Sequence, residues 1–201
     1  ANSAADWLYG EFLHKYDNLK ISLTEGGVGW VPYFLERSEF TLNHHGSWTK
    51  SHFHGKRPTE VFREHFLTCF IEDESGLRNR DLVGINNILF ECDYPHSDCT
   101  WPYTPENTFR QLESANMTDA EINTVTHLNA IKYFNFDPIA ILGRENCTVG
   151  ALRAQAEADG VDTTTRSGGG RSATITDRSG RMTSGEVQKL FAGEGAAAAG
   201  E

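Results

Sequence analysis

Acidic side chains and a histidine follow a strongly apolar stretch of this chain. The segment "ILFECDYPHSD" (88–98) runs from apolar residues without polar alternation into Glu91 and Asp93, and Pro95 and His96 follow at once. Carboxylates and imidazoles bind zinc-like metals and transfer protons near neutral pH. Because Pro95 cannot continue a strand ladder, the segment predicts a buried strand that ends at a chemical site.

Two further apolar stretches end in acids. Glu25 follows "KISLT" and precedes two glycines, whereas Glu72 and Asp73 follow "LTCFI". Glycine lets a ligand approach the backbone closely. We interpret Asp93 as a metal ligand or proton-transfer carboxylate, against the alternative of an Asp that caps a turn. For Glu25 two interpretations stand: a functional carboxylate, or one bonded to the N–H groups of its own glycine corner.

The elements that position these acids alternate between strand and helix patterns. Short continuous apolar strands between helices predict a parallel sheet covered on both faces, with binding and chemistry at the carboxyl ends of its strands. The sequence predicts strands over 19–23, 67–73 and 85–93, and helices over 3–16, 28–45, 57–66, 74–84, 104–114 and 117–134. Thr118 and Glu121 have the spacing of a capping box for the last helix.

Histidines, tryptophans and cysteines offer weaker signals. His44 and His45 belong to the His-rich stretch "LNHHGSWTKSHFHG", which we interpret as a flexible loop with solvent-exposed or packing histidines rather than as a metal site. Trp48 and Trp101 are expected either to wall a pocket or to lie in the core. The four cysteines form no CxxC pair and are predicted to be free thiols, with Cys69 facing away from the site into the helix layer.

Composition limits the classes of function. The net charge is −10 and basic residues do not cluster, which argues against nucleic-acid binding. The sequence has no apolar run of about 20 residues, so we expect a cytoplasmic protein without a membrane span. All four Trp, six Tyr and eight His fall before residue 144. We therefore predict a globular domain over 1–143 and a partly helical, largely disordered tail over 144–201.

Three segments resemble one family over about residues 1–138. "ILFECDYPHSD" resembles the eighth-strand segment of the metal-dependent amidohydrolase-related proteins, in the branch that includes aminocarboxymuconate-semialdehyde decarboxylase. "KISLTEGGVGWVPYFLER" resembles their sixth-strand segment, and "HLNAIKYFNFD" resembles their closing helix. The resemblance implies an α/β fold, namely the C-terminal portion of a (β/α)8 barrel with strands six to eight.

The resemblance also implies roles for residues. Asp93 falls on the family's metal-ligating and proton-shuttling aspartate, and Glu25 stands where a catalytic histidine is common. Arg37 lies near a position that holds a substrate carboxylate in some members, and His96 and Trp48 are expected in the substrate pocket. The implied cofactor is a divalent metal, with zinc as the expected ion, and the implied partners are a small-molecule substrate and a second copy in a homodimer.

The implied activity is hydrolysis or non-oxidative decarboxylation of a small carboxylated substrate. The family's first-strand H-x-H pair and fifth-strand histidine have no counterpart in this sequence, and a divalent ion needs about four donors. We therefore expect a fragment that is inactive alone. The alternative is a non-catalytic binding or assembly module, in which the acids cap helices and the Trp-rich segments contact a partner.

Overall fold

Three parallel strands form the sheet of this chain. The computed structural model describes residues 1–96 and 98–164, and the strands are β1 (Ile21–Leu23), β2 (Phe66–Phe70) and β3 (Ile88–Phe90). Their order is β1-β2-β3, with Leu23 opposite Thr68 and Thr68 opposite Ile88. Because all strands run the same way, their carboxyl ends meet at one edge, which we call the C-terminal edge.

The strands are shorter than the apolar stretches predict. In β2 every residue is buried, as expected for the central strand of a covered parallel sheet. After Phe90 the ladder extends by one bond, because the Glu91 N–H donates to the Phe70 carbonyl at 3.0 Å. Before β3, Ile85–Asn87 form a 3-10 turn instead of strand. The strand pattern therefore located each strand correctly and overestimated its length.

Helices flank the strands along the whole described chain. A π-helical segment, Thr124–Leu128, joins two of them into one continuous closing helix. The helices are α1 (Asn2–Leu8), α2 (Phe12–Lys15), α3 (Val31–Thr49), α4 (Pro58–His65), α5 (Glu74–Arg78), α6 (Arg80–Val83), α7 (Thr104–Ser114), α8 (Asp119–Asn123), α9 (Asn129–Phe134), α10 (Pro138–Leu142) and α11 (Val149–Ala158). None of the described helices is long and apolar enough to cross a membrane.

One helix prediction and one loop interpretation were wrong. The predicted helix over 3–16 is two helices with a break at Gly10, a residue type that disfavours helix. The helix predicted over 28–45 is α3, which continues four residues further to Thr49, so the flexible-loop interpretation of the His-rich stretch is wrong for His44 and His45. The helix continues because side chains four residues apart pack along it, as in the stacking of the Phe40 and His44 rings at 3.9 Å. It ends at Lys50, whose φ of 56° is left-handed.

The two faces of the sheet carry different apolar clusters. Phe66, Phe70 and Ile88 pack into the main core with the flanking helices. Leu67, Cys69 and Leu89 form a second cluster on the other face, covered by Ala130 and Tyr133 of the closing helix. As predicted, Cys69 therefore faces a helix, here the closing helix. It pairs in register with Leu89 and so shares a face with Leu89 and with Glu91, two residues further along.

The closing helix begins with the predicted capping box, which is confirmed. Thr118 Oγ1 accepts the Glu121 N–H at 3.3 Å, and Glu121 Oε2 accepts the Thr118 N–H at 2.8 Å. Arg80 of α6 binds Glu121 with 2.6 Å between Nε and Oε1. This hydrogen-bonded guanidinium lowers the pKa of Glu121 to about 2. The start of the closing helix is thereby attached to α6.

Asn129 attaches the same helix to the sheet. The Asn129 side chain is buried, and its Nδ2 donates to the carbonyl of Ile85 at 2.9 Å and to that of Ile88 at 2.8 Å. These carbonyls lie where the chain enters β3, so the amide satisfies backbone acceptors that the sheet leaves open. The Asn-Ala pair of the closing helix therefore has a structural role.

Residues beyond 143 are helical up to Ala158. Thr148 Oγ1 accepts the Ala151 N–H at 3.2 Å and caps α11. Arg153 of α11 forms an ion pair with Glu106 of α7, with 2.5 Å between Nη1 and Oε1. The compact unit that contains the sheet extends from Ala1 to Thr164. The rest of the predicted tail, 165–201, lies outside the described residues.

Asn129→Ala is expected to lower the free energy of unfolding by about 2–4 kcal/mol, because two buried carbonyls lose their donor. Asn129→Asp should cost more, since it places a carboxylate against the same carbonyls. Urea unfolding of the 201-residue chain measures both. The matched control is Asn123→Ala on the same helical run, which should stay within about 0.5 kcal/mol of the parent. Equal stability of the Asn129→Ala variant and the parent would contradict the role given to this amide.

Candidate functional site

The C-terminal edge brings together the acids that follow the three strands. Glu25 follows β1, Asp73 follows β2, and Glu91 and Asp93 follow β3. Their side chains make different contacts, so the edge is not a uniform acidic cluster.

Asp93 and His96 form a close side-chain pair. His96 Nδ1 lies 2.9 Å from Asp93 Oδ2. The backbone of Asp93 is left-handed, with φ of 53°, and its carbonyl accepts the His96 N–H at 2.8 Å, which closes the turn. The Asp93 side chain is 24% exposed and that of His96 is 60% exposed. The structure therefore brings two of the predicted site residues together, with the imidazole open to solvent.

Glu91 joins the end of β3 to the loop after β1. Its Oε1 accepts the Glu25 N–H at 2.6 Å. Burial raises the pKa of the half-buried Glu91 carboxyl, the bond from Glu25 opposes this, and the charges of Asp93 and Glu25 raise the pKa further. Sequence reasoning gave Glu91 little weight. Its signal was a long acidic side chain at a position where the resembling family has a small residue.

Asp73 is the carboxylate that binds the glycine corner. Its Oδ2 accepts the N–H groups of Val28 and Gly29, both at 2.6 Å, and its Oδ1 accepts the Gly76 N–H at 2.7 Å. In residues 1–96 and 98–164 no hydrogen bond joins the Glu25 carboxylate to Gly26 or Gly27, the two glycines of its own corner. Asp73 binds the two residues that follow them. The packing leaves no room for a side chain at position 76, where a Cβ would lie 2.2 Å from Val28 Cγ2. Asp73 thus has a structural role in joining the exits of β1 and β2.

Arg37 and Trp48 lie on α3, apart from the Asp93–His96 pair. The Arg37 guanidinium packs over the Phe40 ring at 4.2 Å. Trp48 is 71% exposed and donates from Nε1 to His45 Nδ1 at 3.3 Å. Since a helix rises about 1.5 Å per residue, Trp48 lies about 25 Å along the axis from the helix start, which follows the C-terminal edge. In residues 1–96 and 98–164 no hydrogen bond, ion pair or ring contact joins either residue to the pair.

Trp101 lies closer to the candidate site than Trp48 does. Its ring centroid is 5.4 Å from that of Tyr94, the residue after Asp93. Trp101 also lines a cavity of about 750 Å³ together with Tyr103 and Leu152. Of the two tryptophans that sequence reasoning proposed as pocket walls, the structure thus places Trp101 on a cavity next to the loop that follows β3.

The described residues do not by themselves hold a metal ion. Among residues 1–96 and 98–164 there is no group of three or more His, Cys, Asp or Glu side chains arranged to bind one. Asp93 and His96 would supply two donors, and a zinc ion takes about four. The donor set of this part of the chain is therefore too small for the expected metal.

Cys69 lies on the same face of the sheet as Glu91. Its Sγ is 3.7 Å from Ser22 Oγ. Burial raises the pKa of the Cys69 thiol to about 11, the Ser22 bond lowers it, and the charge of Glu91 raises it. A thiol with so high a pKa is inert at neutral pH, because the thiolate is the nucleophile. The burial of Cys69 therefore argues against a nucleophilic role for this thiol.

The chain belongs to the amidohydrolase family, whose model matches residues 2–136. Among solved structures, a 5-carboxyvanillate decarboxylase from Sphingomonas paucimobilis is 22% identical with a TM-score of 0.53, covering 68% of this chain and 39% of that one. An amidohydrolase from Mycobacterium avium subsp. paratuberculosis is 20% identical with a TM-score of 0.54, and the match covers 65% of this chain and 32% of that one. This chain thus spans about a third of the length of these two proteins. Their structural similarity shows a shared fold. No curated protein sequence matches it.

Asp73→Ala is expected to lower the free energy of unfolding by about 2–4 kcal/mol, because three N–H groups lose a charged acceptor. Asp73→Asn should recover only part of this, since its amide nitrogen cannot accept. Chemical denaturation of the 201-residue chain measures the loss. The matched control is Glu72→Ala, which removes an exposed carboxylate at the adjacent position. If both alanine variants unfolded at the same denaturant concentration, the structural role of Asp73 would be wrong.

Cys69 should resist alkylation in the folded chain. At pH 8 a thiol with a pKa of about 11 is ionised in about one molecule per thousand, so iodoacetamide should modify it on the order of a hundredfold more slowly than a free thiol. Mass spectrometry of peptides compares it with the partly exposed Cys92 and Cys147. Labelling in urea should equalise the three thiols. Equal rates without urea would show that Cys69 is not buried as described.

Proposed function

We propose that this chain carries part of the active site of an amidohydrolase-family enzyme that hydrolyses or decarboxylates a small carboxylated substrate. The observation that carries the proposal is the Asp93–His96 pair at the C-terminal edge, with 2.9 Å between Oδ2 and Nδ1. In sheets of parallel strands, ligands bind at this edge, as they do in (β/α)8 barrels. Family membership supports an enzyme of this class.

Both reactions need a group that moves a proton. In hydrolysis a base takes a proton from water as its oxygen attacks the carbonyl carbon, and an acid returns a proton to the leaving group. In non-oxidative decarboxylation the bond to the carboxylate carbon breaks, carbon dioxide leaves, and the remaining carbon takes a proton. Asp93, paired with His96, is the candidate for this proton transfer. Glu25, exposed at the same edge, would act as a base or as a fixed negative charge.

The proposal assigns this chain to strands six to eight of a (β/α)8 barrel. Among the described residues, β1 and β3 each pair only with β2, so their outer edges present unpaired backbone groups. The structural neighbours are about three times longer than their aligned parts, which leaves room for further strands. Those strands would supply the remaining donors of a divalent metal, expected to be zinc, with Asp93 as one ligand.

A second candidate is a non-catalytic binding or assembly module. The observation that favours it is the lack of a metal-binding group of three side chains in residues 1–96 and 98–164. The structural role of Asp73, which caps α5 and holds the glycine corner, also fits this alternative for one of the acids. The module should be monodisperse and stable without metal.

Asp93→Asn is expected to lower kcat at least about 100-fold in the complete protein that contains this chain, because the amide cannot take a proton. The assay follows carbon dioxide release from 5-carboxyvanillate and hydrolysis of a panel of small aromatic amides and esters, with metal content measured by mass spectrometry. The control Glu72→Gln should stay within about twofold of the parent. Undiminished turnover and metal content in the Asp93→Asn protein would rule out the role of Asp93.

A further inference from the structure

Glu91 connects two strand exits that are not neighbours in the sheet. β2 lies between β1 and β3, so the two outer strands are about 10 Å apart. The Glu91 backbone is fixed by its N–H bond to Phe70, while its Oε1 reaches the Glu25 N–H at 2.6 Å. For this bond to form, the loop after β1 must extend across the end of β2 toward β3. The Glu91 side chain therefore determines where that loop lies.

The backbone of Glu25 needs such a fixed partner. Its φ of 61° is left-handed, a conformation that is strained for a residue other than glycine. Gly27, two residues further on, also has a positive φ, of 66°. The N–H groups of Val28 and Gly29 donate to Asp73 and hold this corner from the other side. Two carboxylates thus hold this loop: Asp73 binds the corner, and Glu91 binds the N–H group of Glu25. Its own carboxylate is exposed at the C-terminal edge.

We propose that Glu91 is a positioning residue of this site, whose side chain holds the Glu25 backbone so that the Glu25 carboxylate stays at the C-terminal edge that also carries Asp93. The functional part of this inference rests on the function proposed above. To hold Glu25, the side chain at position 91 needs the length of glutamate and an acceptor oxygen. Aspartate at this position would be about 1.5 Å shorter and would not reach, whereas glutamine has the same length and keeps an acceptor oxygen.

The test compares Glu91→Gln, Glu91→Asp and Glu91→Ala by amide hydrogen exchange in the 201-residue chain, without metal or substrate. The Glu25 N–H should exchange at least about tenfold faster in the Asp and Ala variants and within about threefold of the parent in the Gln variant. The Val28 N–H, which is bonded to Asp73, is the internal control and should not change. Glu72→Gln is the matched control for loss of a carboxylate at the same edge.

Turnover in the complete protein provides the functional readout. We expect Glu91→Asp and Glu91→Ala to lower kcat about tenfold or more with little change in KM, and Glu91→Gln to restore most of it. Unchanged exchange of the Glu25 N–H in the Asp and Ala variants would overturn the inference, whether or not the protein proves to be an enzyme. Faster exchange together with an unchanged kcat would overturn the positioning role. A protein without turnover on any substrate would count against the proposed function, while the exchange data would still decide the contact.

Discussion

Parallel pairing of three short strands is the constraint on which the rest of this structure depends. It places the ends of β1, β2 and β3 at one edge, and it brings the acidic residues that follow each strand close to one another. Carboxylates that meet in this way repel one another and lose part of their hydration. Hydrogen bonds from backbone N–H groups to the carboxylates offset most of this cost. Asp73 accepts three of them and Glu91 accepts one.

The result is a division of roles among residues of the same type. Asp73 holds the glycine corner, Glu91 holds Glu25, and Asp93 is left to pair with the exposed His96. In the proposed function, proton transfer is assigned to Asp93, with the exposed Glu25 as a base or a fixed negative charge.

The opposite end of the sheet shows how the edge is kept rigid. Asn129 of the closing helix binds the carbonyls at the entry to β3, and Ala130 and Tyr133 cover the face that carries Cys69. This is the same face of the sheet that carries Glu91.

The sequence by itself determined that buried strands alternate with helices and end in acids, because apolar runs, glycine corners and capping boxes are local patterns. It also placed the chain near the amidohydrolases through short segments around Glu25 and Asp93, and the family match confirms that prediction. Tertiary structure alone decided which carboxylate accepts which N–H. Glu91 and Glu25 are far apart in the chain, as are Asp73 and Val28, and no local pattern encodes contacts across strands. For the same reason the sequence could not show that Trp48 lies far along α3, or that Cys69 shares the face of Glu91.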